Sequence, residues 1–233
     1  MPESPLALIV GANRGLGLGL ARELLQRGFG VIATARDPDG AEELAALAAA
    51  HPGKLSILPL DLAIPADIDG FAGRLDARML DVLFVNAGVA GPAHRSTMEA
   101  TPEEVGALMF VNAVAPVRLA RLLLDRVREG SGILAFMSSL MGSVEANTAG
   151  NHELYRASKA ALNSLTRGLF ATLGGRRITV LSMHPGWVRT DMGGAQAPLD
   201  IETSVRGLAD VLAREAGSLR HGFIDYAGAE IPW

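Results

Sequence analysis

Short, continuously apolar runs recur along the chain and alternate with stretches whose apolar residues return every three or four positions. The runs are LALIVGA (6–12), VIATAR (31–36), LSILPLDL (55–62), DVLFVNAG (81–88), GILAFMSS (132–139), ITVLSMHPG (178–186) and GFIDYAG (222–228). Runs of this length, rich in branched residues, predict strands buried on both faces. The intervening stretches predict helices over 16–28, 39–51, near 65–78, from Thr101 onward, over 153–173 and over 202–215. Gly28 is placed to stop the first helix. TPEE (101–104) reads as a helix start, with Thr101 as N-cap, Pro102 first in the helix and Glu104 completing a capping box. Strands and helices that alternate in this way predict a three-layer, doubly wound α/β fold, a parallel sheet with helices on both faces. No linker, repeat or low-complexity stretch interrupts the pattern, so a single domain over 1–233 is expected.

Composition narrows the chemistry. With 49% apolar and 20% charged residues, the chain has material for a filled core. A net charge of -4 without runs of like charge argues against a nucleic-acid partner. The absence of cysteine removes disulfides, thiolate nucleophiles and cysteine metal sites, and the five scattered histidines lack metal-ligand spacing, so no metal is expected. The apolar start has no basic flank, so it does not read as a signal peptide, and no apolar run reads as long enough to cross a bilayer. The expectation is a cytoplasmic protein without membrane partners.

The first strand and first helix are joined by GANRGLG (11–17), spaced G-x3-G-x-G rather than G-x-G-x-x-G. Glycines there let the backbone turn sharply and approach a phosphate, and the helix start offers unpaired N–H groups to an anion. At the end of the second strand, an acid would accept from an adenosine 2'-hydroxyl, whereas an arginine accommodates a 2'-phosphate. Arg36 stands there, and Arg14 lies within the glycine loop. Together they favour NADP(H) over NAD(H).

Two further spacings carry chemistry. Asn112 and Pro116 are four apart in the long helix, and proline lacks the N–H that would bond the carbonyl of residue 112. This predicts a kink, in which either the asparagine side chain plugs the gap or the freed carbonyl holds a water. Tyr155 and Lys159, in YRASK, share a helix face. Alone, they read more readily as a solvated surface pair than as a proton donor and the cation that tunes it.

GANRGLG, NAG (86–88), Asn112, SSLMG (138–142), YRASK (155–159) and PGWVRTDM (185–192) stand in the order found in the short-chain dehydrogenase/reductase family. The chain resembles that family nearly end to end, and within it the C-factor-like and sniffer-like carbonyl reductases, whose ending GFIDYAGAEIPW also resembles. The resemblance implies a seven-stranded Rossmann sheet and reversible hydride transfer between NADP(H) and a small-molecule carbonyl or alcohol. It implies Tyr155 as general acid and base, with Lys159 lowering its pKa; the lysine together with the positive nicotinamide ring of NADP+ would move it from ~10 to about 7, roughly 4 kcal/mol of differential interaction. It implies Ser139 as the substrate-orienting hydroxyl, with Ser138 pointing the other way, and Asn112 as the fourth catalytic position. The cofactor would lie on Gly11, Asn13, Arg14, Gly15, Leu16, Gly17 and Arg36, on Asp61 and Leu62 beside the adenine, and on Asn86, Ala87 and Gly88 along the ribose. Tyr155 and Lys159, then Pro185, Gly186, Val188 and Thr190, would hold its nicotinamide end. A homodimer or homotetramer through the long helix and the Tyr155 helix is expected.

Three departures from the family pattern bear on the site. Val10 stands where threonine is usual, which removes a hydrogen bond supporting the first loop. The interval from Ser139 to Tyr155 is three residues longer than the commoner spacing, and GGAQAPLDIE after Met192 is short for a substrate lid, which predicts an open cleft and broad tolerance. Two alternatives remain beside the reductase. One is a serine hydrolase using Ser139 and His184, which lacks a G-x-S-x-G elbow. The other is a catalytically weak NADP(H)-binding sensor or signalling protein on the same fold.

Overall fold

The computed structural model describes residues 4–233. Seven strands form one parallel sheet: β1 (Leu6–Val10), β2 (Gly30–Ala35), β3 (Leu55–Pro59), β4 (Val82–Val85), β5 (Ile133–Met137), β6 (Thr179–His184) and β7 (His221–Asp225), in the order β3-β2-β1-β4-β5-β6-β7. The register pairs Leu8 with Ile32 and Leu83, and Phe84 with Ala135, so the central strands are covered on both sides. Leu8, Ile9, Leu83, Phe84, Leu134 and Ala135 are fully buried, which is why these strands read as unbroken apolar runs.

The helices α1 (Gly15–Gln26), α2 (Glu42–Ala50), α3 (Pro65–Phe71), α4 (Pro102–Met109), α5 (Ala115–Leu122), α6 (Glu153–Ala171) and α7 (Ile201–Glu215) cover the two faces. One apolar cluster joins α1, α2 and α7 to the sheet, and a second joins α3, α5 and α6 to its other face. Gly28 ends α1 as expected. It takes φ +88, and Phe29 N–H donates to the Leu24 carbonyl and Gly28 N–H to that of Leu25, the paired bonds of a left-handed cap. Thr101 and Glu104 form the capping box read from TPEE.

The expected kink takes a definite form. Between α4 and α5, residues Phe110–Val114 form a π turn, in which Ala115 N–H reaches back five residues to the Phe110 carbonyl. Pro116 cannot supply the next α-type bond, so the wider turn absorbs the mismatch. Pro102–Leu122 is, by length and composition alone, apolar enough to cross a bilayer, with mean hydropathy 1.4, which corrects the expectation that no run is. Its Leu108, Ala113, Leu119 and Ala120 are buried in this fold, while Val114 and Leu122 stay exposed. The arginines of this region are tied to other elements rather than merely solvated: Arg118 pairs with Asp69, Arg121 donates to Thr172 and Arg126 to the Asp76 carbonyl.

Candidate active site

The C-terminal ends of β1 to β6 bring the predicted residues to one edge of the sheet, on either side of the switch between β1 and β4. The glycine loop is built from below. A Cβ on Gly17 would fall 2.1 Å from the Gly11 carbonyl oxygen, and one on Gly11, at φ +81, would fall 2.8 Å from Ala87 Cβ. Asn86 Nδ2 donates to that same Gly11 carbonyl at 2.7 Å, which locks the loop to the end of β4. Val10 does not weaken it: Thr34 accepts from Gly11 N–H through Oγ1 at 3.1 Å, and its carbonyl accepts from Ala12 N–H at 2.8 Å. Thr34 replaces the support expected from a threonine at position 10. No local signal pointed to it, because the contact spans two strands.

Above the loop, the first turn of α1 has no side-chain cap and no acidic residue. Its N–H groups are therefore left to face an anion, as a pyrophosphate group would require. Arg36 is exposed at the end of β2 and, among the described residues, makes no hydrogen bond or ion pair, so it does not pair with Asp37. Arg14 instead donates to Asp191 at 2.6 Å, across the cleft mouth between the loops after β1 and β6. Asp191 thus leaves capping to Thr190, whose Oγ1 accepts from Gly193 N–H at 3.1 Å. Asp61 accepts from Ala63 N–H at 2.8 Å. Leu62 and Val188 are buried. Gly186 takes φ +82 with Leu199 close behind it, and Asn13 is exposed.

The catalytic candidates converge at the start of α6. Lys159 is 3% exposed, and its Nζ donates to the Met137 carbonyl at 2.8 Å and lies 5.7 Å from the centre of the Tyr155 ring. Gly88 leaves room for it: a Cβ there would stand 3.4 Å from the ammonium and 3.1 Å from Asn112 Oδ1. Ser139 Oγ accepts from Met141 N–H at 3.2 Å and lies near enough to the Tyr155 hydroxyl to favour its ionised form. Ser138 turns the other way and donates to Asn163 at 2.7 Å. The Asn112 side chain does not plug the gap left by Pro116. Its Oδ1 accepts from Val89 N–H at 2.8 Å, and its Nδ2 donates to the Val89 carbonyl and to Ser158 Oγ. Ser158, which sequence reading passed over inside YRASK, in turn donates to the Tyr155 carbonyl at 2.8 Å.

Burial pushes the Tyr155 phenol up to about 12, only partly offset by Ser139, and pushes the Lys159 ammonium down to about 8. With protein groups alone the site holds a protonated tyrosine beside a lysine that gives up its proton more readily than usual; the expected value near 7 also counts the positive charge of an oxidised nicotinamide ring. No hydrogen bond joins Ser139 to His184, so the described residues contain no serine–histidine pair of the kind a hydrolase needs. The segment after Met192 is short but braced, with Trp187 Nε1–H donating to the Gly193 carbonyl and Arg189 to those of Ala197 and Pro198. Trp187 and Met192 remain more than half exposed.

The sequence pattern of the short chain dehydrogenases matches residues 5–198. The chain belongs to the short-chain dehydrogenase/reductase family. It is an oxidoreductase acting on C=O and CH–OH groups. It is 37% identical over 164 residues to the C-signal protein of Myxococcus xanthus, covering 70% of this chain and 98% of that one. A carbonyl reductase of Pseudomonas aeruginosa PAO1, solved in complex with NADP, superposes with a TM-score of 0.92 at 43% identity, over 99% of this chain and 100% of the other. The carbonyl reductase Sniffer of D. melanogaster superposes with a TM-score of 0.88 at 34% identity, over 99% and 100% of the two chains.

Proposed function

We propose that this chain is a single-domain, NADPH-dependent carbonyl reductase in which Tyr155 is the general acid and base. NADPH, when bound, supplies the hydride. Tyr155 donates its hydroxyl proton to the carbonyl oxygen in reduction and takes it back in alcohol oxidation. A phenol held protonated by burial suits the acid role, and the Lys159 ammonium favours the phenolate once the proton has left. Lys159 also bonds the nicotinamide ribose. Ser139 orients the substrate oxygen, and the Asn112 carbonyl holds a water that leads to Lys159. The single observation that carries this reading is the convergence on Tyr155 of the Lys159 ammonium, 5.7 Å from the centre of its ring, with Ser139 near its hydroxyl.

The unpaired Arg36, with Arg14, supports a preference for NADP(H) over NAD(H). Val114 in the π turn, Leu122 on α5 and Leu165 on α6 stay exposed, which suits a homodimer or homotetramer through these helices. The braced, short segment after Met192 supports an open cleft, broad carbonyl tolerance and modest affinity. The setting is cytoplasmic. The relative named C-signal favours one second reading, a sensor or signalling protein that binds NADP(H) and turns over little. A panel of aldehydes and ketones assayed for carbonyl-dependent NADPH oxidation separates the two. Turnover of several members supports the reductase, whereas tight NADPH binding with no turnover of any supports the sensor.

A further inference from the structure

One contact near Tyr155 is not used by the reductase mechanism. Arg95, in the loop after β4, places Nη1 2.6 Å from Nε2 of His152, the residue preceding α6. His152 is the N-cap of α6, three residues before Tyr155. Arginine can only donate, so Nε2 must accept and the ring hydrogen must sit on Nδ1. His152 Nδ1 is buried and has no hydrogen-bond partner. Both residues hold left-handed backbones, φ +59 at Arg95 and φ +55 at His152, rare for side chains of this kind.

The charges around the pair are positive and uncompensated. Among the described residues no carboxylate pairs with Arg95. Glu153, the next residue, accepts instead from Thr97 N–H at 2.8 Å. Arg156 donates to the Asn151 carbonyl and side chain, not to an acid. Burial, Arg95 and Arg156 together push His152 below its usual range, so the imidazole stays neutral and does not repel its arginine.

We propose that Arg95 and His152 form an anion-recognition site at the mouth of the cleft, so that the preferred carbonyl substrates carry a carboxylate a few bonds from the reacting carbon. Its donors are the guanidinium N–H groups that do not bond His152, which holds the arginine in place. The inference rests on the reductase reading for its consequence in turnover, but the anion site itself is separable from it.

The test compares para-carboxybenzaldehyde with its methyl ester in wild type, Arg95→Asn and Arg95→Lys. Asparagine tolerates the left-handed backbone, so the loop is kept. The wild type should prefer the acid. Arg95→Asn should cost the acid about tenfold more in kcat/KM than the ester, mainly through KM, as expected for one charge-assisted hydrogen bond at a partly exposed site. Arg95→Lys should fall between. Equal losses for acid and ester would reduce the pair to a loop brace and overturn the proposal, as would a wild type that disfavours the acid. A second arm titrates benzoate and benzamide into the NADP-loaded protein by calorimetry. Benzoate binding that weakens in Arg95→Asn supports the site even if neither aldehyde is turned over, an outcome that would sink only the reductase reading. Equal binding of benzoate and benzamide by the wild type overturns the site whatever the turnover.

Discussion

Among the described residues Arg36 has no partner, and this is what makes it informative. A cation left free at the end of β2 meets the adenosine side of any dinucleotide bound across the switch point. Arg36→Asp should therefore weaken NADPH binding at least tenfold while changing NADH binding much less, measured by fluorescence titration of both. Equal loss of the two would remove the residue from cofactor selection. Arg36, Tyr155, Lys159 and Ser139 were legible because their chemistry is tied to fixed spacing or to a strand end. Thr34, His152 and Arg95 were not, because each acts through a partner that only the tertiary fold brings near. Spacing shows the ammonium near Tyr155 but not the depth of burial, which dominates its pKa when only protein groups act.

The π turn between α4 and α5 shows how an element serves the site. Sequence marked the place through Asn112 and Pro116, but not the wider turn or the destination of the asparagine side chain. By joining Val89 and Ser158, Asn112 ties the loop after β4 to the helix that carries Tyr155. Asn112→Ala would leave buried donors and acceptors unpaired, and should cost about 2–4 kcal/mol of unfolding free energy in a denaturant titration. A loss under about 0.5 kcal/mol would mean that water replaces the side chain without penalty. Strand positions were read to within one to three residues of their ends. The excess lies at C-terminal ends such as 11–12 and 86–88, where apolar and glycine residues leave the ladder to form the site.

At the scale of the molecule, the parallel sheet with helices on both faces followed from the alternation of patterns, whereas the order of its strands and the stacking of distant residues did not. His221 lies between Phe170 and Trp233, with ring centres 5.9 and 4.6 Å away. Burial lowers His221 to about 4, and lowers His184 to about 4 despite the pull of Asp225. Because both fold with fewer protons than they bind when unfolded, stability is full above about pH 6.5 and is lost as pH falls toward 4. His184 contributes up to roughly 3 kcal/mol to that loss, and the more exposed His221 less. Melting temperatures measured from pH 7 to about 4.5 should fall steadily, and His184→Gln should flatten the decline; a flat wild-type profile would contradict this. The most direct measurement of the whole account is made on Tyr155→Phe, which removes one oxygen and keeps the ring. The account predicts that carbonyl-dependent NADPH oxidation drops at least a thousandfold while the affinity for NADPH stays within about threefold. Turnover within tenfold of the wild type would show that the proton comes from elsewhere and would contradict the account.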